Sequence, residues 1–210
     1  MNSFSSSDPV KPIDLAKLAY APEWEAAPKP PEATAGQHRF VWDLHYAAPA
    51  AFKDSFTGAW APPGRYTVEL DVDGKQLRQP LEIAPDPRIS VTQADFDAQF
   101  RLAQQVQQAR VQAHSTLKEA GAIRDKLKAT NPAALQQIDS VIGKPPPILG
   151  SSDVATLLGV SDRLDSLADS IESADGAPSP DAFRGFATLS AALDALEKRW
   201  AAVRGQLPAS

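Results

Sequence analysis

The stretch YTVELDVDGKQLRQPLEIAPDPRISVTQADFDAQF, residues 66–100, contains a hairpin, a break and the start of a helix. In Tyr66–Val72 the apolar groups Tyr66, Val68, Leu70 and Val72 alternate with Thr67, Glu69 and Asp71. A period of two is the pattern of a strand with one apolar face. Leu77–Ala84 is a second strand candidate, and Pro80 confines it to an edge or a bulge because proline has no ladder donor. Asp73-Gly74 lies between them, and a type I′ turn needs positive φ at both central positions. Asp86-Pro87 then stops the strand, and Thr92 begins a helix as an N-cap, with Asp95 three residues on.

Downstream of this break the period changes to three and four. Phe96, Phe100, Ala103, Val106, Ala109, Ala113, Leu117, Ala120, Ile123 and Leu127 form one helical stripe. Asn131-Pro132 is an N-cap followed by proline at the first helical position, and Gly143 stops the helix it opens. After the stiff connector GKPPPILG, a third helix is predicted from about Ser152 to Ser173, with Val154, Leu157, Ser161, Leu164, Leu167, Ala168 and Ile171 on its face. Ser179-Pro180-Asp181 opens the last helix. Its stripe is Phe183, Phe186, Leu189, Leu193, Leu196, Trp200, Val203 and Leu207, a spacing suited to coiled-coil-like packing.

Upstream, His38–Leu44 reads as a third strand, with Phe40, Trp42 and Leu44 on one face. All three tyrosines, three of the four tryptophans and most of the 19 prolines precede Arg88. Residues 1–36 are broken by Pro9, Pro12, Pro22, Pro28, Pro30 and Pro31. They are expected as an extended wrap on the β part, held by Ile13, Leu15, Leu18, Tyr20 and Trp24. The expected class is α+β, cut near residue 90. A partial antiparallel β-sandwich (37–90, with 1–36 wrapped on it) precedes an antiparallel bundle of long helices (91–210).

Composition removes several function classes. With 21 Lys+Arg against 26 Asp+Glu there is no basic excess for nucleic acid. The chain has no cysteine, hence no disulfide, thiolate nucleophile or cysteine zinc site. No apolar run approaches a membrane span, and the N-terminal MNSFSSSDPVKPID has no signal-peptide pattern.

A search for chemistry finds no catalytic or metal site and no cofactor motif. His38, His45 and His114 form no HExxH, HxH or i, i+4 pair. Asp71, Asp73 and Gly74 suggest a calcium loop only faintly, since no glutamate closes it and a hairpin turn explains them. No GxSxG, P-loop or GxGxxG occurs, and Ser179 and Ser190 have no histidine partner in sequence. Asp162, Asp165 and Asp169 read as a solvated helix face. Trp24 and Trp60 are the binding candidates. Together with Trp42, Tyr46 and Phe52 they are able to stack on sugars, although Trp42 alternates like a core residue. Trp60, in GAWAPPG, is the less constrained ring.

The segments GQHRFVWDLHY (36–46), APPGRYTVELDVDGK (61–75) and QPLEIAPDPR (79–88) resemble the C-terminal region of large bacterial BNR/Asp-box, sortilin-like glycosyl hydrolases. The likeness spans most of residues 4–205 and is carried by Gly36, Phe40, Trp42, Asp43, Pro63, Gly64, Tyr66 and Gly74. In that family a β-propeller is followed by an immunoglobulin-like module, similar to that of the flagellar hook-capping protein, and then by long helices. The resemblance implies export to the periplasm or beyond, and catalytic residues in the propeller, which this sequence lacks. FSSSDP (4–9) is similar to a stretch that follows a strand in the family, so the module is expected to lack its first strand and the chain to be a piece of a longer polypeptide. Three functions follow as expectations. The first is a non-catalytic interaction module whose partner is an upstream propeller or another chain. The second is a carbohydrate-binding module using exposed aromatics. The third is a glycoside hydrolase, in name by inheritance from the propeller.

Overall fold

The computed structural model describes residues 2–10, 18, 20, 21, 24, 30–49, 52, 57–144 and 154–207 of the 210. Among the described residues it is a mixed structure of four helices and one antiparallel two-stranded sheet. Ile13, Leu15 and residues 145–153, which include most of the connector and the expected helix start at Ser152, lie outside the described residues.

Strand β1 (Gly64–Val72) pairs with β2 (Lys75–Ile83) through Asp73-Gly74. Both turn residues have positive φ, 51° and 77°, as a type I′ turn requires. The register sets Tyr66 opposite Leu81, Val68 opposite Gln79, Leu70 opposite Leu77 and Thr67 opposite Pro80. A cross-strand pair of Arg78 Nε with Glu69 Oε2 at 2.7 Å lies on the polar face.

Helix α1 (Gln93–Leu127) has 35 residues, about 52 Å at the usual rise. Thr92 caps it reciprocally: its hydroxyl accepts from Asp95 N–H, and Asp95 Oδ2 accepts from Thr92 N–H at 3.0 Å. The Thr92 hydroxyl also donates to Asp95 Oδ2 at 2.7 Å, and this bond, followed by the one from Thr92 N–H, holds the Asp95 carboxyl below its ordinary pKa. Helix α2 (Pro132–Ile142) starts at an Asn131 cap and ends at Gly143, whose N–H donates to Asp139 C=O. Helix α3 (Leu157–Glu172) is capped by Thr156, so it starts later than the expected Ser152. Helix α4 (Pro180–Gln206) starts at the Ser179 cap.

The four helices share one core, to which α1 contributes along most of its length. Leu102, Val106, Ala113, Ile138, Val141, Leu157, Val160 and Leu164 are sealed from solvent. Trp200 is also buried, and its indole N–H donates to Glu119 Oε2 at 2.9 Å. Arg204 Nη1 holds the other oxygen at 2.8 Å. Glu119 therefore has a lowered pKa, first from the Trp200 bond and then from Arg204. Arg124–Asp139 ties α1 to α2, and Arg110–Asp165 ties α1 to α3. Phe183 departs from the expected stripe. It stands exposed in the first turn of α4, whereas Ala182, Phe186 and Leu189 pack toward the core.

The upstream part differs more. His38–Leu44 is not a strand. Leu44 adopts φ +63°, and Asp43 Oδ1 accepts from His45 N–H at 3.1 Å, which turns the chain where a strand would continue. Phe40 is exposed and packs on Phe4, with ring centroids 4.7 Å apart. Trp42 is half-buried against the edge of Tyr66 rather than in a sandwich interior. The apolar face of the hairpin is solvent-facing: Val68, Leu70 and Val72 of β1 and Leu77 of β2 are each at least half exposed. The alternating residues form the strand, but no second sheet covers that face among the described residues.

Candidate binding cleft around Trp60

Trp60 is positioned by a short antiparallel contact. Tyr46 N–H donates to Ala59 C=O at 2.8 Å, and Ala61 N–H donates to Leu44 C=O at 2.7 Å, so His45 and Trp60 face each other as a single bridge. Gly58 permits this approach, because a Cβ there would overlap the Tyr46 carbonyl. The rings of His45 and Trp60 lie 4.0 Å apart at 40°. The His45 carbonyl accepts from Trp42 Nε1 at 2.8 Å and from the Asn2 side chain. His45 Nδ1 is 3.4 Å from Asp43 Oδ2, near enough for charge attraction but not aligned as a hydrogen bond.

This loop is fastened to the helices. Trp60 N–H donates to Glu172 Oε1 at 3.0 Å, and Ala59 N–H to Gln107 Oε1 at 3.4 Å. Tyr46 packs on Phe100. Glu172 is the last residue of α3, and its pKa is raised. Burial is the chief cause, opposed by the Trp60 bond and by the charges of His45 and Arg110, and reinforced by Asp169.

Trp60 is 46% exposed and flanks a cleft of about 420 Å³. Its walls include Pro62, Pro63, Ile83, Phe96 and Phe100, and Glu172, Asp86 and Asp175 bring carboxyls to it. A second hollow of about 260 Å³ lies on the other side of Glu172, lined by Gln107, Arg110 and Asp169. The hairpin root closes one end: Tyr66 O–H donates to Pro62 C=O at 2.6 Å, and Gln93 Nε2 donates to Pro63 C=O at 3.0 Å. Burial pushes the Tyr66 phenol up to about 12. Trp24 is 80% exposed but does not line this cleft, so the two candidate tryptophans do not share one platform there.

The geometry also brings together Ser161, His114 and Asp165, which no sequence spacing had linked. Ser161 Oγ is 3.4 Å from His114 Nε2, and Asp165 Oδ2 is 3.9 Å from that same nitrogen. A nucleophile relay needs the carboxylate on the opposite ring nitrogen. Ser161 is also only 4% exposed, on the core side of α3. This group therefore acts as a polar tie between α1 and α3. No cluster of three or more potential metal ligands occurs among the described residues. No described helix is long and apolar enough to cross a membrane. Comparison with family models, with curated proteins and with solved structures gives no match for this chain.

Proposed function

We propose that this chain is a non-catalytic interaction module whose contact surface is the β1–β2 hairpin. The observation that carries the reading is the exposed row Val68, Leu70, Val72 and Leu77 on one face of a two-stranded sheet. A lone hairpin is marginal in water, and large apolar groups gathered on one face mark a contact site. In this reading the hairpin is part of an immunoglobulin-like sandwich completed from outside the described residues. The helices form an antiparallel bundle that serves as its stalk. The likeness of residues 36–88 to the family named above supports placing the module in a larger, exported, propeller-containing protein.

A photo-reactive phenylalanine analogue at Leu70, with the same group at the exposed Asp194 of α4 as control, tests this in the source cells. Adducts from position 70 and not from 194 are expected. Equal labelling, or none, would overturn the reading.

A second reading, carbohydrate binding, rests on the half-exposed Trp60 ring beside carboxyl groups in a concave cleft. Oligosaccharide should then shift tryptophan emission, and Trp60→Ala should abolish the shift. Emission that stays constant across a panel of oligosaccharides would remove it.

A further inference from the structure

The occupant of the hairpin follows from which backbone groups each strand leaves open. In a two-residue type I′ hairpin the flanking pair, Val72 and Lys75, exchanges both hydrogen bonds. Alternation then makes Leu70–Leu77, Val68–Gln79 and Tyr66–Leu81 bonded pairs as well. Arg65, Thr67, Glu69 and Asp71 therefore turn their N–H and C=O groups away from β2. On β2 the outward residues are Gln76, Arg78, Pro80 and Glu82. Pro80 has no N–H, so the β2 edge lacks a donor near its middle, whereas the β1 edge is complete. Among the described residues no strand pairs with that β1 edge.

We propose that a second copy of this chain pairs there, β1 antiparallel to β1, about a two-fold axis at Val68. This deepens the reading of the hairpin as the contact surface and rests on it. Val68 is the centre of Gly64–Val72, so all nine residues overlap in this register. The bonded pairs are Arg65 with the partner's Asp71, and Thr67 with the partner's Glu69. Every one of these uses groups that β2 leaves open. Arg65 and Asp71 are both exposed, and the two-fold axis sets opposite charges together at both ends of the strand. On the other face Tyr66 meets Leu70, and Val68 meets its own copy. Two marginal hairpins become one four-stranded sheet. The same exercise on β2 places Arg78 opposite Pro80 and loses hydrogen bonds, so the pairing has one choice of edge.

The test is sedimentation of the full chain over a concentration series. A species of twice the 22.4 kDa chain mass is expected. Arg65→Asp should weaken the dimer by about tenfold or more, through like charges at both ends. Arg65→Asp with Asp71→Arg should restore it. Thr67→Pro should abolish it while leaving the hairpin intact, because Thr67 N–H is not used by β2; backbone NMR checks that the β1–β2 register survives in each variant. A chain that stays monomeric at millimolar concentration overturns the proposal, as does a dimer indifferent to Thr67→Pro and to the charge swap. If position 70 cross-links in cells to a chain of another mass while the isolated protein is monomeric, the contact surface stands and the self-pairing fails.

Discussion

The helices and the hairpin have equally regular apolar patterns, yet opposite fates. In α1, α3 and α4 the stripe, Phe183 excepted, packs on other stripes of the same chain and is wholly or partly withdrawn from solvent. In β1 the alternation is as clean, but its apolar side faces outward. Periodicity says which face of an element is apolar; it does not say that a cover exists. The energetic weight of the molecule lies in the helices, while its unspent apolar surface lies in the hairpin.

The strongest way to break this comparison is at Trp200, where Ala should cost about 3–5 kcal/mol in thermal or denaturant unfolding. The ring is 2% exposed and its N–H would vanish from Glu119. An unchanged melting curve would mean that the α4 stripe does not hold the helices together. Next comes Gly143→Ala, expected to cost about 1–3 kcal/mol. Gly143 has φ +87°, and a Cβ there would lie 2.6 Å from Thr156 Cβ. Calorimetry giving a cost near zero would show that the α2–α3 junction is loose. Val68→Thr with Leu70→Thr should move stability by no more than about 0.5 kcal/mol, since neither side chain is buried within the chain and Thr suits a strand. A loss of several kcal/mol would reveal an internal cover for the hairpin.

The smallest effects are those of pH, and they have opposite signs at two glutamates. The pKa of Glu172 is raised in the fold, so its favourable contribution is complete below the unfolded carboxyl value and is lost as pH rises through the folded one. Glu172→Gln keeps an acceptor for Trp60 N–H. Its melting temperature should equal or exceed the parent's at pH 7, with the two converging in acid. Glu119 has a lowered pKa, so its contribution is present above the unfolded value and fades as pH falls through the folded one. Melting of Glu119→Gln against pH should therefore approach the parent only in acid, from below. A Glu172→Gln protein less stable than the parent at neutral pH would show that the ionised carboxylate is needed to hold the loop.

Local signals were the legible ones. Thr92, Asn131, Ser179 and Gly143 mark helix ends because a cap is a contact between near neighbours. Asp73-Gly74 marked the turn for the same reason. His38–Leu44 has the alternation of a strand, yet its backbone turns at Leu44, which alternation does not reveal. Trp60 was readable as an unusual aromatic, but its hold on Glu172 spans 112 positions, and no pattern along a chain encodes such a contact. The Ser161–His114–Asp165 group was equally invisible: two of its members are a helical turn apart on α3, and the third is on α1.

Pro80 also bears on how far assembly runs. A sheet grows without limit only while each added strand offers a fresh, fully competent edge. When two β1 strands join, the edges left outermost are both β2, and each is interrupted by the ring of Pro80. The arrangement is then closed and countable, two chains and no more, whereas the same hairpin with an ordinary residue at position 80 would carry the seed of a fibre.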